Sequence, residues 1–94
     1  MRVNLDDLEA WHTDGGGVIS FKYQGAPFTG TVEKYYKSGK LLTELEYVDG
    51  YQEGWHRSYH ENGQLAIEEN IHNNETIDGT YKEYDESGIL IFEI

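Results

Sequence analysis

The chain repeats itself, and a repeat is the strongest constraint a sequence can place on its own fold. When residues 30–53, 54–78 and 79–94 are aligned, three anchors recur at spacings of 24 and then 25 residues. The leading glycines are Gly30, Gly54 and Gly79, and the tyrosines are Tyr35, Tyr59 and Tyr84. The second glycines are Gly39, Gly63 and Gly88, each followed two residues later by Leu41, Leu65 or Leu90. A unit this short cannot bury an apolar face alone, so successive copies must stack side by side into one continuous structure.

Each unit reads as a β-hairpin. Lys37-Ser38-Gly39, Glu61-Asn62-Gly63 and Glu86-Ser87-Gly88 suit a three-residue loop whose last position is left-handed and favours glycine. That loop pairs Tyr35 with Leu41, Tyr59 with Leu65 and Tyr84 with Leu90, whereas a two-residue loop would pair the tyrosines with Leu42, Ala66 and Ile91. Strict alternation along each strand then predicts a core face of Tyr35, Leu41, Leu45, Tyr47, Trp55, Tyr59, Leu65, Ile67, Ile71, Tyr84, Leu90, Phe92 and Ile94. It predicts a wet face carrying Val32, Lys34, Tyr36, Leu42, Glu44, Glu46, His56, Ser58, His60, Glu68, Tyr81, Glu83, Asp85 and Glu93. Val48-Asp49-Gly50 and Asn73-Asn74 are the expected return turns between units.

The expected fold class is therefore all-β: tandem hairpins forming one twisted antiparallel sheet of about six to eight strands, with a short N-terminal cap. Residues 1–94 read as a single domain, with 1–17 as cap and Gly-rich bend and 18–29 as a leading half unit ahead of the three repeats. Within the cap, Leu5, Leu8 and Trp11 share a helical face behind Asn4, although Val3 and Leu5 also alternate as a strand. Asp14-Gly15-Gly16-Gly17 reads as a flexible joint.

Composition narrows the function classes. Seven basic against eighteen acidic residues give a net charge of −11, which repels nucleic acid and anionic membrane surfaces and favours a basic partner. The longest apolar run, at residues 89–92, is far short of the roughly 20 residues that span a bilayer. The absence of cysteine excludes disulfides and thiolate metal sites, and with acidic residues close behind Met1 it suggests a reduced cytoplasm.

No cofactor, metal or catalytic constellation emerges. His56 and His60 stand four apart, which on a strand separates them by about 13 Å, whereas ligands of one zinc ion lie about 2 Å from it. The serines lack a nucleophile elbow, and Gly15-Gly16-Gly17 precedes a strand rather than a helix, unlike a phosphate loop. The chain is expected to be no enzyme.

The unit Gly-x4-Tyr-x3-Gly-x-Leu resembles the bacterial variant of the MORN (membrane occupation and recognition nexus) repeat. The run Tyr23-Gln24-Gly25-Ala26-Pro27-Phe28-Thr29-Gly30, behind a short acidic start and Gly-rich bend, is similar to the leading segment of YwqK-like antitoxin and immunity proteins. The resemblance implies a cytoplasmic immunity protein that occludes the active surface of a cognate toxin, and the chain is expected to be a monomer or weak homodimer. Trp55 departs from the pattern, standing where the other units carry Thr31 and Thr80. On the charge argument the toxin is basic, with a nuclease as one candidate, and the alternative is a general interaction scaffold. The expected contact residues are Tyr36, Glu44, Glu46, His56, His60, Glu68, Tyr81, Glu83, Asp85 and Glu93, aromatic anchors among carboxylates on the wet face.

Overall fold

The computed structural model describes residues 1–13 and 19–94, with side chains described outside 10–19. The expected joint at residues 14–17 and the side chain of Trp11 lie outside what is described. Among the described residues eleven strands follow in order: β1 (Arg2–Asn4), β2 (Glu9–Thr13), β3 (Ile19–Tyr23), β4 (Ala26–Pro27), β5 (Gly30–Tyr35), β6 (Leu41–Val48), β7 (Tyr51–Tyr59), β8 (Leu65–His72), β9 (Glu75–Thr76), β10 (Lys82–Tyr84) and β11 (Leu90–Glu93). The main sheet has eight strands in the order β1-β5-β6-β7-β8-β10-β11, with β9 also pairing β8, and β2-β3-β4 form a second sheet of three. No helix among the described residues is long and apolar enough to cross a membrane.

The tandem-hairpin reading holds. Tyr35 pairs with Leu41, Tyr59 with Leu65 and Tyr84 with Leu90. Each three-residue loop is closed by the same pair of backbone bonds, as where Tyr36 N–H donates to Lys40 C=O at 2.8 Å and Gly39 N–H donates to Tyr36 C=O at 2.9 Å. The return turns are two-residue loops with both central residues left-handed, Asp49-Gly50 (φ 50° and 91°) and Asn73-Asn74 (φ 51° and 66°), the twist that suits a hairpin.

The face assignment needs correction. Beyond each tyrosine–leucine pair the register slips by one, so that Lys34 pairs with Thr43, Ser58 with Ile67 and Glu83 with Phe92. Leu42, Ala66 and Ile91 are thus the extra residues of a β-bulge repeated in every unit, and a single extra residue reverses the side-chain alternation beyond it. The tyrosines and their leucine partners consequently lie opposite Leu45, Tyr47, Ile67 and Ile71 rather than beside them. Tyr35 and Trp55, expected inside, are 44% and 37% exposed, whereas Val32, expected in water, is completely buried.

Burial is confined to the other face. Phe28, Val32 and Tyr47 form the core, with Val3, Leu5, Leu8, Phe21, Tyr23 and Leu45 packed around them. The three-stranded sheet and the N-terminal segment supply that cover. Phe21 meets Tyr47 edge-on at 5.7 Å between ring centroids. Gly50 stitches the two sheets, accepting from Phe21 N–H and donating to Phe28 C=O, each at 2.8 Å. A Cβ at Gly50 would lie 2.7 Å from the Phe21 carbonyl oxygen, so no other residue fits there unchanged.

The N-terminus combines both alternatives open in the sequence. β1 pairs in parallel with β5, Val3 beside Val32, an exception to the expected antiparallel order. Asn4 then caps a single 3-10 turn (Leu5–Asp7), its Oδ1 accepting from Asp6 N–H at 2.9 Å. Asn4 and Leu5 act as expected of a cap, but the turn gives way to β2 after one revolution, so no helical face runs from Leu5 to Trp11.

Candidate functional site

Two faces of the main sheet offer different chemistry. On the covered face, past the core, a line of polar side chains crosses β6 to β9. Thr43 Oγ1 lies 2.9 Å from Ser58 Oγ, and His56 Nε2 lies 3.0 Å from the same oxygen. His56 Nδ1 is 2.7 Å from Glu69 Oε2, and the Thr76 hydroxyl donates to the other Glu69 oxygen. Carboxylate, imidazole and hydroxyl stand in the order of an acyl-transfer relay. Yet Thr43 and Glu69 are buried and each of these side chains is bonded to the next in the line, mostly across strands, which is how a satisfied polar network fastens strands together. Among the described residues no group of three or more His, Cys, Asp or Glu side chains is placed to hold a metal ion.

The open face is the better candidate. Its edge near β1 is built from ion pairs: Arg2 reaches Glu33 through Nε at 2.7 Å and Glu44 through Nη2 at 2.8 Å. One pair of strands further on, Arg57 Nε meets Glu68 at 2.7 Å while its guanidinium stacks 4.7 Å from the centre of the Trp55 ring. Trp55 is placed by Gly54, whose φ of 110° turns the Trp55 N–H toward Glu46 Oε2 at 2.6 Å. A Cβ at Gly54 would sit 2.2 Å from that carboxylate oxygen. Arg2, Glu44, Glu46, Trp55 and Arg57 together border a depression of about 180 Å³.

Tyrosine hydroxyls complete the arrangement. Tyr35 donates to Glu33, and Tyr59 donates to Glu44 Oε1 at 2.6 Å. The donated hydroxyl and then Arg2 hold both carboxyls below the ordinary glutamate range. Burial first, and the Glu44 carboxylate second, push the Tyr59 phenol up to about 12. Glu33 and Glu44 are therefore held ionised, and Tyr35 and Tyr59 neutral, throughout the physiological range.

Residues 28–49, 52–73 and 77–94, about two thirds of the chain, each match the MORN repeat variant. The chain belongs to the MORN repeat variant family. Each matched span begins two residues before a leading glycine, Gly30, Gly54 or Gly79. MORN repeats are protein-interaction modules, a non-enzymatic repeat class. No curated protein and no solved structure matches the chain.

In this MORN sheet the expected contact residues do not share one surface. Glu44, Glu46, Glu68 and Glu93 lie on the open face, because their partners Arg57, Thr31 and Lys82 lie there. His56, Tyr81 and Glu83 lie on the covered side, His56 bonded to Glu69 and Tyr81 donating to Glu83 at 2.8 Å. The bulge separates them. Tyr36 and His60 are staples between hairpin tips: Tyr36 donates to Tyr59 C=O at 2.6 Å, and His60 Nε2 lies 2.9 Å from Tyr84 C=O. Asp85, at the equivalent position, caps its own turn, accepting from Ser87 N–H and Ile89 N–H at 2.9 and 3.0 Å.

Sequence reasoning missed Glu33, Tyr35, Trp55, Arg57, Tyr59 and Tyr84 as surface groups. The signal that would have found them is the bulge, and its residues Leu42, Ala66 and Ile91 carry no mark such as an internal glycine.

Proposed function

We propose that the chain is an immunity protein that binds a cognate bacterial toxin through the open face of its MORN sheet and occludes the toxin's active surface. The observation that supports it is that face itself: an uncovered sheet bearing aromatic side chains edged by ionised carboxylates, in a family of interaction modules. The net charge of −11 favours a basic toxin domain. The likeness of residues 23–30 to the leading segment of YwqK-like antitoxins favours a toxin over an arbitrary partner, and suits a complex formed in the cytoplasm of the producing cell. A general interaction scaffold is the second reading, favoured by the repeat match alone.

Co-expression tests the choice. Induced with the toxin encoded beside it, the chain is expected to restore growth and to leave unrelated toxins active. Growth arrest that persists despite soluble chain would overturn the immunity reading and leave the scaffold.

A further inference from the structure

The bulge does more than turn the tyrosines outward; it also brings them level. Thr43 faces Ser58 and Ile67 faces Glu83, so the next residues, Tyr59 and Tyr84, stand opposite the bulged pairs Leu41-Leu42 and Leu65-Ala66. Six adjacent strands thus present Tyr35, Leu41, Tyr59, Leu65, Tyr84 and Leu90 as one row across the open face, beside the hairpin tips. Rings and leucines alternate. Neighbouring strands are about 4.8 Å apart, so the rings recur every 9.6 Å or so with a leucine floor between them. At the tip side of the row a depression of about 460 Å³ is bordered by Leu41 and Tyr59 of the row and by Lys40, Asn62 and Gly63 of the hairpin tips.

A ligand that uses every interval must repeat at that distance. An extended strand returns a side chain to one face every 6.6 Å or so and drifts out of step at once. An α-helix returns after seven residues, about 10.5 Å, and is out by about 1.8 Å over the two intervals from Tyr35 to Tyr84. A polyproline II helix returns after three residues, about 9.3 Å, and is out by only about 0.6 Å. Its backbone forms no internal hydrogen bonds and its prolines dock between aromatic rings at little entropic cost. Glu33 and Glu44, beside Tyr35 and Tyr59, share the single guanidinium of Arg2, and the negative charge left over there suits basic residues flanking the prolines.

We propose that the tyrosine–leucine row binds a proline-rich segment of the partner as a polyproline II helix laid across the strands, one residue in three seated between successive rings. This deepens the toxin-binding reading and rests on it only for the biological identity of the segment.

The test is titration of the full chain with a synthetic nine-residue peptide carrying proline at every third position and arginine at both ends, followed by NMR of the leucine methyls. Saturable shifts at Leu41 and Leu65 are expected, weakened at least tenfold when the prolines become alanine. Tyr59→Ala should weaken binding by a similar factor. Tyr35→Ala, at a ring already 44% exposed, serves where Tyr59→Ala fails to fold. Absent shifts, equal shifts with both peptides, or shifts centred away from the row would overturn the proposal. A chain that neutralises its toxin yet ignores the peptide refutes only the polyproline proposal; peptide binding without neutralisation refutes only the immunity reading.

Discussion

At the scale of single residues, burial ranks the aromatic side chains in an order that composition cannot. Phe28 and Tyr47 are 2% and 3% exposed, whereas Tyr35 is 44% exposed. Phe28→Ala should therefore destabilise the fold by about 3–5 kcal/mol, and Tyr35→Ala by less than about 1 kcal/mol, as read from chemical denaturation. Equal losses would return Tyr35 to the core. Ionisation supplies a second residue-scale outcome. Tyr59 and Arg2 hold the Glu44 carboxyl below its ordinary value, so its contribution to stability is fully present above about pH 4.3 and is lost as pH falls through the lower folded value. Between about pH 5 and pH 3 the melting temperature of the wild type should fall more steeply than that of Glu44→Gln. Parallel slopes would mean that Glu44 gains nothing from its partners.

At the scale of elements, much was legible because turn chemistry is local. Gly39, Gly63 and Gly88 announce the three-residue loops, Asp49-Gly50 and Asn73-Asn74 announce the return turns, and the Tyr–Leu pairs set the register at each tip. The parallel pairing of β1 with β5 was not legible, because it depends on Arg2 reaching Glu33 and Glu44 from residues some 30 and 40 positions away. Nor was the bulge, since Leu42, Ala66 and Ile91 look like any strand residue. One missed residue per unit was enough to put half of the expected core on the wrong face. Glycines separate turn strain from sheet packing: Gly39 and Gly50 share a φ near 90°, but a Cβ at Gly39 meets nothing within 4 Å while one at Gly50 meets the Phe21 backbone. Both alanine variants should therefore lose about 1 kcal/mol of turn energy, and Gly50→Ala should lose distinctly more. Identical melting temperatures for the two would show that the three-stranded sheet does not dock on Gly50.

For the whole molecule, the division of labour follows from the bulge. From β1 to β9 one face is consumed by folding, closed by the second sheet at its β1 end and fastened by the Thr43-Ser58-His56-Glu69 line toward β9, whereas at β11 the same face leaves Phe92 48% exposed. The other keeps its aromatics and carboxylates in water. That the expected contact residues Tyr36, His56, His60 and Tyr81 do not share the open face was not legible from composition, because exposed and bonded tyrosines and histidines look alike in sequence. Their placement emerged only from distances of 2.6–2.9 Å to their hydrogen-bond partners. Charge still acts at this scale, and association with a basic toxin should slow steeply as salt rises. The central claim is that the open face, and not the tips or the covered face, makes the contact. Amide and methyl NMR of the chain titrated with the proposed toxin tests that most directly. The account predicts shifts confined to Tyr35, Leu41, Glu44, Trp55, Tyr59 and their open-face neighbours; shifts concentrated at His56, Tyr81 and Phe92, with the open face unchanged, would contradict it.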